Sequence, residues 1–169
     1  MKELIIFGRS PFINELKLEN IDYNKYDVCC INYPIPYIKV KYVVSADKSV
    51  IPVLAPKTEW VSLNTGWEFK KTDRIIRQKN KLSWRYYSSS LAVNFGILRG
   101  YKTIYLGGVD LFDDNKPFIH YDGVENLKPA TIDATSNEKL YIKELAKDIK
   151  IYQLNPKADW LEFRDIGIL

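Results

Sequence analysis

A lone histidine is the side chain in this sequence best suited to proton transfer. His120, the only histidine among 169 residues, lies in the loop stretch Phe118–Asp122. Imidazole titrates close to neutral pH, so His120 could act as a general base or bind a phosphate. An ordinary surface histidine is the alternative interpretation, and the residue type alone does not decide between them.

Aspartates form a second group of side chains that could take part in catalysis or metal binding. Asp110 directly follows an apolar run, and Asp113 and Asp114 come shortly after it. Carboxylates that follow a strand can hold Mg²⁺ between phosphate oxygens. We therefore expect Asp110 to contribute to catalysis or to bind a metal, whereas Asp113 and Asp114 are better explained as solvated loop acids or helix caps.

Polar residues also follow the earlier apolar runs. Gly8 permits a tight turn in which Arg9, Ser10 and backbone N–H groups could hold a phosphate. This turn is not the G-x-G-x-x-G pattern, and a plain strand-to-helix turn is the alternative. Asn32 and Asp47 could bind a base or ribose, or could cap their own backbone.

A basic and aromatic stretch runs from residue 67 to residue 87. Its members are Trp67, Phe69, Lys70, Lys71, Arg74, Arg77, Lys79, Lys81, Trp84, Arg85, Tyr86 and Tyr87. Such a mixture is typical of proteins that bind single-stranded nucleic acid. It also suits an anionic small molecule, a lipid headgroup or a plain solvated face.

Short apolar runs alternate with helical patterns along the chain, which predicts a parallel sheet. Strands are predicted at Leu4–Phe7, Asp27–Asn32, Tyr42–Asp47, Trp60–Asn64, Thr103–Leu106 and Lys150–Leu154, with helices after residue 10, from Ser88 to Gly100 and after a capping-box pattern at Thr135–Glu138. We predict an α/β fold: a single Rossmann-like domain over residues 1–169, with a mainly parallel sheet and helices on both faces. Ligands of such sheets bind beyond the carboxyl ends of the strands, which adds Gly107 and Gly108 to the candidates.

The bulk composition narrows the class of protein. Lys plus Arg is 25 and Asp plus Glu is 21, and this net charge of +4 does not by itself predict a nucleic-acid partner. Cys29 and Cys30 are adjacent in an apolar run, so we expect reduced thiols and a reducing compartment. No signal peptide or transmembrane span is expected, so the chain is predicted to be cytoplasmic, with membrane contact at most peripheral.

Several blocks, in order along nearly the whole chain, resemble one known family. Gly100–Asp110, which reads GYKTIYLGGVD, resembles the G-Y-K-x-I-Y-L-x-G-[IV]-D block of bacterial lipooligosaccharide sialyltransferases. The same block occurs in the related domain named after the archaeal 6-hydroxymethylpterin diphosphokinase, which phage-encoded proteins also carry. Gly8–Pro11 resembles that family's G-x-G-P-S turn, Ser88–Ser90 its T-S-G segment, and Ile149–Pro156 its final strand.

The resemblance implies a nucleotide pocket. Asn32 corresponds to an asparagine that contacts the cytidine nucleotide, and Ser88, Ser89 and Ser90 would hold phosphates or the sugar. Phe112 and Phe118 stand near positions where the sialyltransferases carry tyrosines. Their catalytic histidine lies in a later lid insertion, so His120 would have to take its role.

Three functions stay open at this point. The first is a transferase that binds a nucleotide or nucleotide-sugar and an acceptor of unknown identity. Its glycosyltransferase-like version would not have to use a metal, whereas its diphosphokinase-like version would require Mg²⁺ and ATP. The second is a non-catalytic nucleotide-binding protein of phage origin. The third is a single-stranded nucleic-acid binder that uses residues 67–87.

Overall fold

One parallel sheet contains most strands of the chain. The computed structural model describes residues 2–45, 59–62, 75–76, 88–112, 118–126, 132–147 and 149–169. The strands are β1 (Glu3–Phe7), β2 (Tyr26–Ile31), β3 (Tyr42–Ser45), β4 (Glu59–Ser62), β5 (Ile75–Ile76), β6 (Thr103–Gly107), β7 (Phe118–Ile119), β8 (Glu125–Asn126) and β9 (Lys150–Gln153). Seven of them form the sheet in the order β5-β4-β3-β2-β1-β6-β9, and every neighbouring pair is parallel. The predicted α/β fold with a parallel sheet is confirmed.

The order of the strands reverses between β1 and β6. The chain adds strands outward from β1 to β5 and then returns to the other side of β1 to add β6 and β9. Phe7 at the end of β1 pairs with Gly107 at the end of β6. Such a switch point opens a crevice beyond the carboxyl ends of the two strands. The fold therefore puts the segments after Phe7 and after Gly107 side by side.

Two α-helices cover one face of the sheet. Leu4 and Ile6 of β1 belong to a buried cluster that includes Leu91 and Phe95 of α1 (Ser88–Leu98) and Ile142 of α2 (Ile132–Leu145). The predicted helix from Ser88 is confirmed, and Gly100 follows it with a φ of +86°. That left-handed conformation ends the helix and favours glycine.

Short 3-10 helices and the C-terminal segment cover the opposite face. Ile5 and Phe7 of β1 pack in a cluster with Phe12, Ile13 and Ile168. The predicted helix after β1 is a pair of 3-10 helices, Pro11–Glu15 and Leu18–Asn20. Proline suits the first helical position because it has no N–H to satisfy, and the chain becomes extended again at Leu16.

Two elements differ from the sequence-based expectation. Helix α2 begins at Ile132, so Thr135–Glu138 lies inside it and does not cap its start. The loop after β6 contains an antiparallel hairpin of β7 and β8, in which Ile119 pairs with Glu125. Within the described ranges, no helix is long and apolar enough to cross a membrane.

Candidate functional site

The turn after β1 and the turn after β6 meet at the carboxyl edge of the sheet. The amide of Gly8 donates to the carbonyl of Gly107 at 2.8 Å, and the amide of Ser10 donates to the carbonyl of Gly108 at 3.1 Å. A Cβ on Gly8 would lie only 2.2 Å from the carbonyl oxygen of Gly108. Glycine is needed here because any side chain would push the two turns apart.

Ser10 and Asp110 join these turns through their side chains. The hydroxyl of Ser10 donates to Oδ2 of Asp110 and accepts a 3.2 Å hydrogen bond from the amide of Phe12. The indole Nε1 of Trp160 donates to the backbone carbonyl of Asp110 at 2.8 Å. Asp110 is 5% exposed, so Ser10 fixes a buried carboxylate and Trp160 fixes the backbone that carries it.

The carboxylate of Asp110 is only partly satisfied. Its Oδ1 is buried and has no hydrogen-bond partner within the described residues. Burial raises the pKa of Asp110, while the Ser10 hydroxyl and the Asn155 amide act in the opposite direction. Buried polar atoms usually have a partner, so Oδ1 is suited to accept a hydrogen bond from a ligand or to take up a proton.

Asn32 and Ser88 form a second polar pair on the same edge. Asn32 has a φ of +67°, and its backbone amide donates to the carbonyl of Val44 at 2.9 Å. The hydroxyl of Ser88 donates to Oδ1 of Asn32 at 3.2 Å. Left-handed backbone is tolerated by asparagine better than by most residues, and the hydrogen bond from Ser88 orients its side chain.

Ser89 and Ser90, the next two residues of α1, form hydrogen bonds to a buried acid. The hydroxyl of Ser89 donates to Oε1 of Glu138 at 2.6 Å, and the amide of Ser90 donates to the same oxygen at 2.7 Å. Glu138 is 0% exposed and belongs to α2. Its carboxylate therefore occupies a position at the N-terminus of α1, where helices commonly bind anions.

The β7–β8 hairpin packs against the turn after β1. The amide of Tyr121 donates to the carbonyl of Arg9 at 3.1 Å. The guanidinium of Arg9 donates to Oδ2 of Asp122 at 2.5 Å and lies 4.6 Å from the ring centroid of Tyr33. Nδ1 of His120 lies 3.1 Å from the carbonyl oxygen of Arg9. These contacts hold His120 beside the crevice.

The surroundings of His120 favour its neutral form. Burial lowers the pKa of His120, and the positive charge of Arg9 lowers it further. The hydrogen bond with the Arg9 carbonyl and the charge of Asp122 raise the pKa, but burial and the charge of Arg9 outweigh them. A neutral imidazole at neutral pH can accept a proton, which a general base must do.

The structure brings most of the predicted site residues to one edge of the sheet. Gly8, Arg9, Ser10, Gly107, Gly108, Asp110 and His120 surround the switch point, and Asn32 with Ser88 follows the neighbouring strand β2. Asp47, Asp113, Asp114 and most of the basic stretch 67–87 lie outside the described residues.

Sequence reasoning missed some residues that shape this edge. Tyr33 and Asp122 bracket the guanidinium of Arg9, Glu138 binds the start of α1, and Trp160 binds the backbone of Asp110. The Thr135–Glu138 pattern was the one local signal. It predicted that Glu138 caps its own helix, α2, whereas Glu138 caps the start of α1.

Metal binding by Asp110 stays a prediction. In the part of the chain that the structure describes, no group of three or more His, Cys, Asp or Glu side chains could hold a metal ion. Asp110 offers the unpaired Oδ1 as a ligand, but a dedicated cation site uses several oxygen ligands. The described residues alone therefore do not form a protein cage for Mg²⁺.

No protein-family model matches the chain, and no curated protein matches it in sequence. Solved structures match it in fold. The sialyltransferase CstII from Campylobacter jejuni, in complex with the substrate analogue CMP-3FNeuAc, superposes with a TM-score of 0.62 at 16% identity, over 98% of this chain and 86% of that chain. The same enzyme with cytidine-5'-monophosphate gives a TM-score of 0.53 at 16% identity, over 98% and 86%. A point variant with CMP gives 0.54 at 15% identity, over 99% and 90%. The chain thus has the fold of these sialyltransferase structures.

Proposed function

We propose that this chain is a nucleotide-sugar-dependent transferase of the glycosyltransferase type. The observation that carries the proposal is the switch point between β1 and β6. There the two turns converge on Asp110, which is buried and has an unpaired Oδ1 in the described chain. Crevices at switch points of parallel sheets are where such folds bind nucleotides.

The nucleotide lies along the carboxyl edge from β2 to β6. Asn32 and Ser88 supply an amide and a hydroxyl at one end, and the turn after β1 brings the cation of Arg9 nearby. Asp110 accepts a hydrogen bond through Oδ1 at the other end. Ser89 and Ser90 act indirectly, because their donors already bind Glu138.

The donor is a cytidine nucleotide linked to a sugar. The solved structures that share the fold were obtained with CMP and with CMP-3FNeuAc. That likeness supports a CMP-sugar as the first donor to test, and the polar pair Asn32 and Ser88 is compatible with a nucleoside. The diphosphokinase-like alternative would instead need ATP and Mg²⁺.

His120 serves as the general base in this proposal. An acceptor hydroxyl gives its proton to the imidazole while its oxygen forms a bond to the anomeric carbon of the sugar. The bond between that carbon and the phosphate oxygen breaks, and the electron pair leaves with CMP. The imidazolium then releases its proton to solvent. A positioned base of this kind contributes about 10²–10⁴-fold to rate.

The first test is thermal unfolding of the full chain with CMP, CMP-sialic acid, UDP-sugars, GDP-sugars, ATP and pterins, each with and without Mg²⁺. A ligand at about 100 times its Kd stabilises by roughly 2.7 kcal/mol, which raises the midpoint by about 5–11 °C for a chain of this size. We expect a rise with cytidine nucleotides. A rise confined to ATP with Mg²⁺ would favour the diphosphokinase-like function, and no rise with any nucleotide would contradict the proposal.

Two variants separate binding from chemistry. Asn32→Gly keeps the left-handed backbone and removes the amide, so the CMP-induced rise should shrink. His120→Asn can keep a donor near the Arg9 carbonyl but has no base, so the rise should persist while turnover of CMP-sialic acid falls about 10²–10⁴-fold. Glu144→Gln, on the exposed side of α2, is the control. Stabilisation by CMP-sialic acid without turnover by the wild-type chain is the result expected of a non-catalytic binding protein.

A further inference from the structure

Arg9 makes several distinct contacts with the tip of the β7–β8 hairpin. Its carbonyl oxygen accepts from the amide of Tyr121 at 3.1 Å and lies 3.1 Å from Nδ1 of His120. Its guanidinium binds Asp122 at 2.5 Å and stacks on Tyr33 at 4.6 Å. One residue therefore contacts the backbone of the tip, its acid and its imidazole.

The contact with the carbonyl decides which nitrogen of His120 carries the proton. A carbonyl oxygen accepts hydrogen bonds and cannot donate them, so Nδ1 must be the donor. In a neutral imidazole with its proton on Nδ1, the lone pair is on Nε2. Free histidine favours the other tautomer, with the proton on Nε2, so this arrangement has to be imposed by the protein.

We propose that Arg9 is a positioning residue. Its carbonyl holds the proton of His120 on Nδ1, and its ion pair with Asp122 keeps the imidazole ring next to that carbonyl. This inference rests on the proposed function, in which His120 is the base. It adds the atom that takes the proton, Nε2, and the residue that orients it. Arg9 acts through His120 and does not itself need to touch the acceptor.

The ion pair between Arg9 and Asp122 links the side chain of the hairpin tip to the turn after β1. The Arg9–Asp122 pair is mostly shielded, with 15% and 31% of the two side chains exposed. Gly123 and Val124 close the tip on His120 through backbone hydrogen bonds of 2.9 and 2.8 Å. Loss of the ion pair between Arg9 and Asp122 would leave these backbone hydrogen bonds in place but let the hairpin tip shift relative to Arg9. The distance between Nδ1 of His120 and the carbonyl oxygen of Arg9 would then increase.

The sole histidine makes the inference directly measurable. A chain labelled with ¹⁵N-histidine gives one pair of imidazole nitrogen signals, whose chemical shifts distinguish the two tautomers and follow protonation with pH. We expect the wild-type chain at neutral pH to show a protonated Nδ1 and an unprotonated Nε2. Asp122→Ala and Arg9→Met should both move the signals toward the tautomer of free histidine. In a turnover assay of Asp122→Ala, kcat should fall with little change in KM.

Asp165→Ala is the matched control. Asp165 and Asp122 each accept a hydrogen bond from the amide two residues further on, but only Asp122 binds Arg9. The control should leave the imidazole signals unchanged, and thermal unfolding would verify that each variant is folded. A wild-type signal with the proton on Nε2, or an unchanged tautomer in both Asp122→Ala and Arg9→Met, would overturn the inference. Full turnover in His120→Asn would overturn only the base role, because the tautomer is read without any activity.

Discussion

The buried carboxylate of Glu138 binds the first turn of α1 through Ser89. Its Oε1 accepts from the hydroxyl of Ser89 at 2.6 Å and from the amide of Ser90 at 2.7 Å. The first amides of a helix have no partner within the helix, and the helix dipole favours an anion there. Helix α2 thereby caps α1 and fixes the position of Ser88, which faces Asn32.

Removal of this acid should destabilise the whole fold. Glu138→Ala leaves the hydroxyl of Ser89 and the amide of Ser90 buried without their acceptor, which costs about 1–3 kcal/mol for each unsatisfied group. Glu138→Gln keeps an oxygen acceptor and should cost less. Urea unfolding of both variants measures the free energies.

The control for that series is Glu144→Gln on the same helix. Glu144 is 66% exposed in its side chain, and its ion pair with Lys147 spans 3.6 Å, so its replacement should change stability by less than about 0.5 kcal/mol. Equal stability of Glu138→Ala and Glu144→Gln would mean that the buried acid does not stabilise α1.

The close approach of the two turns predicts a strong effect at Gly8. Gly8→Ala puts a Cβ 2.2 Å from the backbone carbonyl oxygen of Gly108, and backbone cannot move aside as a side chain can. We expect a loss of at least about 3 kcal/mol, at the upper end of overpacking effects. Thermal unfolding of Gly8→Ala measures it.

Gly123→Ala separates steric overlap from backbone strain. Gly123 has a φ of +80°, but a Cβ there would have no atom within 4 Å. Its replacement should therefore cost only the strain of left-handed backbone, about 1–3 kcal/mol. A smaller loss for Gly8→Ala than for Gly123→Ala would show that the turns after β1 and β6 can separate.

The sequence predicts the central strands well because parallel strands are buried on both faces. The strands β1, β2 and β3 therefore contain continuous apolar runs, such as Leu4–Phe7, that local sequence reveals. Since parallel strands share one carboxyl edge, the residues after them, such as Ser10 and Asp110, could be placed together in advance.

The remaining contacts are long-range, and most of them leave no local signal. Arg9 and Asp122 are 113 positions apart, and each strand of the hairpin that joins them has only 2 residues, too few to show a period. Glu138 does carry a local signal, yet the pattern Thr135–Glu138 fits a cap of its own helix as well as a cap of another. Only packing decides which amides a buried acid meets.

Asp27 is a buried acid whose contribution to stability depends on pH. Its Oδ2 accepts from Nζ of Lys41 at 2.7 Å and from the hydroxyl of Tyr101 at 2.5 Å. Burial alone would raise the pKa of Asp27, but the hydrogen bonds from Lys41 and Tyr101 outweigh it, so the pKa is lowered. The charged form is thus the form that the fold stabilises.

The sign of the pH effect follows from that direction. Because the pKa in the folded state lies below the ordinary value of 3.8, Asp27 contributes its full stability above that value and loses it as pH falls through the folded-state pKa. Asp27→Asn should therefore cost about 1.5–3 kcal/mol at neutral pH, typical of hydrogen bonds to a charged group. The difference from wild type should shrink in acid.

Urea unfolding at neutral and acid pH tests this expectation, with Asp22→Asn as the control. Asp22 is an exposed acid whose carboxylate accepts a local hydrogen bond from the backbone amide of Asn24 at 2.9 Å. Its replacement should have a small effect that does not change with pH. A constant difference between Asp27→Asn and wild type across the pH range would show that the charge of Asp27 does not stabilise the fold.

The charge of Asp110 should affect stability in the opposite direction to the charge of Asp27. Burial raises its pKa, so the folded chain is penalised for the charged carboxylate above the folded-state pKa and is relieved of that penalty as pH falls. Asp110→Asn removes the charge and keeps an acceptor for the Ser10 hydroxyl. We expect it to stabilise the chain by about 1 kcal/mol at neutral pH, equivalent to a rise of about 2–4 °C in Tm.

The same substitution should weaken the ligand site, since an amide in place of the carboxylate replaces one acceptor oxygen with a donor. The CMP-induced rise in Tm should therefore be smaller in Asp110→Asn than in wild type, although the ligand-free variant unfolds at a higher temperature. Asp159→Asn, an exposed acid next to Trp160, should change neither quantity. A lower Tm for Asp110→Asn with an undiminished CMP effect would indicate that this buried carboxylate stabilises the turn and takes no part in binding.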